Sequence, residues 1–141
     1  MTARGAINWM IIAVVVAVTF LALDLVWITQ VAGPAFMAAF GDMMLASPRA
    51  GAALSFYVLY VFGLCLFAVS PALRSGRVTA AAGYGAMLGL VAYGTFDLTA
   101  LAILKPATTQ LAVMDMAWGS FVSAAAASAG AWVGTRRLAS S

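Results

Sequence analysis

Three aspartates, Asp24, Asp97 and Asp115, lie inside apolar stretches long enough to cross a bilayer, and no Lys, Arg or His shares those stretches. A carboxylate at bilayer depth is costly, so an intramembrane acid marks a functional site by default. The chain has only four acidic residues, and three of them occupy this position. Their chemistry is limited to a few classes. A buried Asp held in its protonated form can serve as general acid beside an ionised neighbour acting as base. A cluster of carboxylates can relay protons, or attract a hard cation such as sodium, magnesium, calcium or manganese through oxygen ligands. It can also receive a cationic or hydroxylated ligand. The chain has no His and no Glu, and its lone cysteine, Cys65, falls within a span, so transition-metal chemistry and an internal disulfide are both disfavoured.

Polar and aromatic side chains keep company with the acids. Tyr93 precedes Asp97 by one helical turn, Thr95 and Thr99 flank it, and Tyr57 and Tyr60 come from a neighbouring span. Trp27 and Trp118 each follow an acid by three residues, in Asp24-Leu-Val-Trp27 and Asp115-Met-Ala-Trp118. Residues at i and i+3 share a helix face, which predicts that each indole N–H donates to the carboxylate of its own motif. Each group also has a plainer reading. A protonated Asp can tie helices together for about 1 kcal/mol, and the Tyr and Trp residues are equally suited to an interfacial aromatic belt.

These residues need elements to position them. With 65% hydrophobic residues, 8% charged residues and a mean hydropathy of +1.07, the 141-residue chain is no ordinary soluble globule. Four segments reach the ~20 apolar residues that cross the hydrocarbon core: Ile7–Val31, Gly51–Ser70, Thr79–Leu104 and Thr109–Val133. The expected fold is therefore all-α, a bundle of four transmembrane helices forming one domain over residues 1–141, with no room for a soluble catalytic domain. Helix 1 is expected to end near Gly33–Pro34, followed by a short interfacial helix between Pro34 and Pro48. An apolar run of this length carrying Asp24, without a small-x-small site after it, reads as a retained helix rather than a signal peptide.

Small residues set the packing. Ala82, Gly85, Ala86 and Gly89 on helix 3, and Gly119, Ser120, Ser123, Ala124, Ala127 and Ser128 on helix 4, form stripes that let backbones approach in lipid. The short Lys105–Thr109 connection predicts a tight antiparallel hairpin, with Gly85, Gly89, Ser120 and Ser123 in contact and Thr108 or Thr109 as N-cap.

Depth follows from a rise of 1.5 Å per residue. Asp97 lies roughly 10 Å below the end of its helix, Asp115 roughly 9 Å from that same end, and Asp24 roughly 10 Å before Val31. The expectation is one acidic layer in which Asp24, Asp97 and Asp115 converge with Tyr93 and with Tyr57 or Tyr60. Three close carboxylates in a low dielectric cannot all stay charged without a cation.

The net charge of +3 is spread singly or in pairs beside the spans, the pattern of topology signals rather than of a nucleic-acid surface. Arg4, Arg74, Arg77, Arg136 and Arg137 on one side, against Arg49 and Lys105 on the other, place both termini in the cytoplasm.

The stretches Leu23-Asp-Leu-Val-Trp-Ile28, Phe56-Tyr-Val-Leu-Tyr60, Phe67-Ala-Val-Ser-Pro-Ala72, Gly89-Leu-Val-Ala-Tyr-Gly-Thr-Phe-Asp-Leu-Thr99 and Asp115-Met-Ala-Trp-Gly119 resemble a bacterial family of small predicted membrane proteins, domain of unknown function 2177. The resemblance covers nearly the whole chain. It implies a four-helix protein of the bacterial inner membrane and brings no established activity, but its motifs contain all three acids.

Three functions follow. First comes a protein that binds or transports a proton, hard cation or small polar or lipid-like ligand at the Asp layer. Second is an accessory subunit of a larger membrane complex or a homo-oligomer. Third is a membrane-embedded enzyme acting on a lipid or isoprenoid, for which no nucleophile, phosphate cradle or cofactor motif is visible. The lipid bilayer is the partner common to all three.

Overall fold

Four helices long and apolar enough to cross a membrane make up the computed structural model, which describes residues 3–139. The fold is all-α, with no strand among the described residues. Helix α1 is Ala3–Trp27, and it runs through a π-helical turn, Ile28–Ala32, straight into α2, Gly33–Phe40. Helix α3, Ala50–Leu64, likewise passes through a π turn, Cys65–Val69, into α4, Ser70–Ser75. The last two spans are uninterrupted: α5, Val78–Ile103, and α6, Thr109–Ala139.

The chain therefore does not stop at Gly33–Pro34, as its proline suggested. A proline inside an α-helix lacks its N–H and drives its ring against the carbonyl four residues back. Here the turn before Pro34 widens, with the Gly33 N–H donating to the Ile28 carbonyl five residues back, so the helix continues past the ring. The Ser70 N–H donates to the Cys65 carbonyl in the same way just before Pro71. The short helix expected after helix 1 is present as α2, continuous with α1 and closed by a 3-10 turn at Gly41–Met43. Gly33 suits its place, since a Cβ there would stand 2.5 Å from the Ile28 carbonyl oxygen.

Helices α5 and α6 form the most extensive pairing, antiparallel as the short turn requires. Gly85 lies against the Ser123 backbone and Ala127, while Gly89 lies directly on the Gly119 carbonyl. Gly119, rather than the expected Ser120, meets the facing helix; Ser120 donates to the Met116 carbonyl of its own helix at 3.1 Å. Thr108 is the N-cap, its Oγ1 accepting from the Leu111 N–H at 3.2 Å. Helix α6 also packs along α1 and α4, where Gly130 meets Val16 of α1 and Gly134 meets Ile12 of α1 and Leu73 of α4.

Those contacts enclose a dry core of Ile12, Val16, Phe20, Leu64, Ala68, Val69, Val122, Ala126, Ala127 and Ala131, all without accessible surface. Large apolar side chains such as Val14, Leu59, Phe62, Met87, Val91 and Phe121 point outward, as expected where the surroundings are lipid. Hydroxyls facing outward are satisfied locally, Ser55 by the Gly51 carbonyl and Thr95 by the Val91 carbonyl.

Candidate functional site

Beyond Phe20 the helices separate around a cavity of about 500 Å³. Its floor carries Asp24, Trp27, Tyr57, Tyr93 and Asp115, and its walls are Ile28, Ala32, Gly33, Phe36, Met44, Ala53, Phe56, Ala92 and Phe96. The π turn of the first span supplies Ile28 and Ala32, so the widened helix forms part of the wall. Phe56, Phe96 and Ile28 also retain substantial exposure to the exterior, so the cavity is reached from the side of the bundle.

Asp24 is buried and accepts three hydrogen bonds. Tyr57 Oη donates to its Oδ2 at 3.0 Å, while Tyr93 Oη and Trp118 Nε1 donate to its Oδ1 at 3.3 and 3.2 Å. Both oxygens of this carboxyl are thus committed to internal donors from three different helices. Asp115 differs: its Oδ1 accepts from Trp27 Nε1 at 3.2 Å, and no other donor reaches its carboxyl among the described residues.

The indoles therefore donate across the helices, not within their own motifs as expected. Trp27 of α1 reaches Asp115 of α6, and Trp118 of α6 reaches Asp24 of α1. The two rings stack at 4.6 Å between centroids with planes 4° apart. The reason is packing: α1 lies antiparallel against α6, which brings each acid opposite the other helix's tryptophan.

Tyr60 takes no part in this network. Its hydroxyl pairs with Ser123 Oγ at 2.7 Å within the core, and its ring packs on Phe20 at 4.9 Å. Asp97 does not line the cavity either. It is buried on the far side of Phe36, facing a separate void of about 10 Å³, and its Oδ2 has no hydrogen-bond partner among the described residues. Equal depth along the helices placed the three acids in one layer, but rotation about α5 turns Asp97 away from the other two. The wall residues Phe36, Phe56 and Phe96 were not singled out by sequence. The spacing of Tyr93 and Phe96, three apart on one face, carried a signal for one of them.

No cation lies near the two carboxylates along their own helices. Arg4 precedes Asp24 by twenty residues and Arg136 follows Asp115 by twenty-one, each roughly 30 Å away along the helix.

The fold and site define a four-span helical membrane protein with an aromatic-lined cavity over one buried carboxylate, Asp24, and one half-buried carboxylate, Asp115. A family model described as a predicted membrane protein, domain of unknown function 2177, matches residues 9–132, and the chain belongs to that family. No curated protein and no solved structure matches the chain.

Proposed function

We propose that the protein binds, and carries across or within the bilayer, an amphiphile whose polar end is cationic. The observation that supports this most directly is the cavity itself, which combines an apolar and aromatic wall with two carboxylates and no basic residue. The donors already present, Tyr57, Tyr93, Trp27 and Trp118, are all neutral, so they orient the acids without compensating charge. A cation about 4 Å from one carboxylate gains about 4 kcal/mol at an effective dielectric of 20. Aromatic faces add roughly 0.5–2 kcal/mol when the cation is desolvated.

In this reading the two acids divide the work. Asp24, with both oxygens engaged, sets the local field and fixes the rings. Asp115, with one oxygen unclaimed, makes the direct contact with the ligand. A bare hard cation is served less well. Calcium takes six to eight oxygen ligands and magnesium an octahedral shell, whereas the wall offers mainly carbon. An ammonium group brings its own donors, and its alkyl chain fits the apolar wall. The same reading takes residues 1–141 as one unit in a bacterial inner membrane, with both termini cytoplasmic.

Binding of dodecylammonium to the protein in lipid nanodiscs, followed by tryptophan fluorescence and compared with dodecanol, tests the proposal. The expected result is a saturable response to the amine that the Asp24→Asn/Asp115→Asn double variant loses. Equal responses to amine and alcohol would remove the role of charge, and no response to either would remove the cavity as a ligand site.

A further inference from the structure

The acid that the cavity leaves out has a site of its own. Asp97 on α5 is 4% exposed, yet its Oδ2 is wholly buried without a partner among the described residues. Leaving a buried acceptor unmet is costly, and groups in that position normally have a water or a proton. The void beside it, about 10 Å³, lies at the threshold for one water molecule. Its walls are Phe36, Phe40, Ala100, Ala107, Leu111 and Ala112, with Thr108 as the one polar side chain besides Asp97.

Thr108 is exposed and caps α6. Its hydroxyl keeps a free hydrogen-bonding direction after accepting from Leu111, and the first N–H groups of α6 have no partners inside the helix. A water here would thus find the two or more polar contacts that an internal water requires. On the other side stands Phe36, which lines both the void and the large cavity and packs against Phe96 and Phe40 with centroids 6.3 and 5.8 Å away.

We propose that the void holds one water between Asp97 and Thr108, which makes Asp97 a proton-exchange site. It opens to the face of the bundle that carries the α5–α6 turn, and the Phe36 ring walls it off from the ligand cavity. The site is independent of what occupies that cavity. The titratable groups on the surrounding elements are Asp42 after α2, Tyr93 on α5, Lys105 in the turn and Asp115 on α6.

Infrared difference spectroscopy of the purified protein in nanodiscs, titrated with pH in H2O and D2O, tests this. The expected result is a carboxylic C=O band that rises and falls with pH, exchanges rapidly with D2O, disappears in Asp97→Asn and persists in Asp24→Asn and Asp115→Asn. Thr108→Ala, which retains the carboxyl, should shift that band by removing the water's second anchor. Phe36→Ala, which joins the chambers, should make the band respond to added dodecylammonium, whereas wild type should respond far less. A band that never titrates, one lost in Asp24→Asn instead, or one indifferent to Thr108→Ala would overturn the proposal. If Asp97→Asn does not accumulate, the Thr108→Ala shift and the persistence of the band in the other two Asn variants decide it.

Discussion

The region around Val16, Leu64, Val69 and Ala127 and the region around Asp24 and Asp115 draw on the same four spans with opposite results. Each contains a π turn placed just before a proline. Cys65–Val69 turns Leu66 and Phe67 outward but buries Ala68 and Val69 fully against α5 and α6. Ile28–Ala32 lies beside the cavity, with Ile28 partly exposed. A widened turn therefore does not make a site by itself. What differs is the facing surface. In the first region Gly85, Gly89, Gly130 and a run of alanines let the backbones close. In the second, rings from Tyr57, Tyr93, Phe56 and Phe96 hold the helices apart and carboxylates occupy the floor.

The largest expected effect breaks the closed region. Gly89→Leu should abolish the folded state, because even a Cβ at Gly89 would overlap the Gly119 backbone, which cannot yield as a flexible side chain can. Overpacking usually costs about 1–3 kcal/mol, and a backbone obstruction should lie at or above the top of that range. Size-exclusion chromatography and thermal unfolding in detergent would show it, and an unchanged melting temperature would mean that α5 and α6 are not held by this approach.

The next effect measures the contrast directly. Leu64→Ala should cost about 2 kcal/mol and Phe56→Ala close to nothing. In lipid the transfer of carbon from core to surroundings contributes little, which leaves mainly the cavity and lost dispersion. Leu64 has no accessible surface, while Phe56 is already 43% exposed at the cavity rim. Equal losses at the two positions would erase the distinction between a packed region and a hollow one.

How much of this the sequence disclosed depended on the kind of information required. Span number and the α5–α6 hairpin were legible, because both follow from apolar length and a short turn. The burial of Asp24 was also legible, from an acid surrounded by Leu and Val. Three features were hidden. The continuation past Pro34 depends on a hydrogen-bond shift that leaves no mark beyond Gly33. The reciprocal pairing of Trp27 with Asp115 depends on α1 lying against α6, which are not adjacent in the chain. The separation of Asp97 from the other acids depends on rotation of α5, which depth along the helix does not report.

A smaller effect concerns the donors to Asp24. Tyr57→Phe, Tyr93→Phe and Trp118→Phe should each cost about 0.6–1 kcal/mol, the usual range for an interhelical hydrogen bond in a membrane. The double variant Tyr57→Phe/Tyr93→Phe should cost less than the sum or more than it, but not equal it, because both hydroxyls share one carboxyl. Strict additivity in a double-mutant cycle would mean the two bonds are not made together.

The smallest expected change in stability belongs to Asp115→Asn, and it separates scaffold from site most sharply. The amide oxygen of Asn can still accept from Trp27, so the one hydrogen bond that Asp115 makes inside the chain survives. Replacing a charge that has no internal counter-ion by a neutral group removes a desolvation cost, so the folded state should lose less than about 0.6 kcal/mol or gain slightly. The affinity for dodecylammonium should nonetheless fall tenfold or more, about 1.4 kcal/mol. Asp24→Asn makes the informative partner. Its amide nitrogen cannot accept, so one of the three donors around it must lose its acceptor or, for a tyrosine hydroxyl, turn to accept from the amide, and the fold should weaken together with binding. If Asp115→Asn proves as destabilising as Leu64→Ala, the carboxylate is part of what holds α1 against α6, and the hollow region is a scaffold rather than a ligand site.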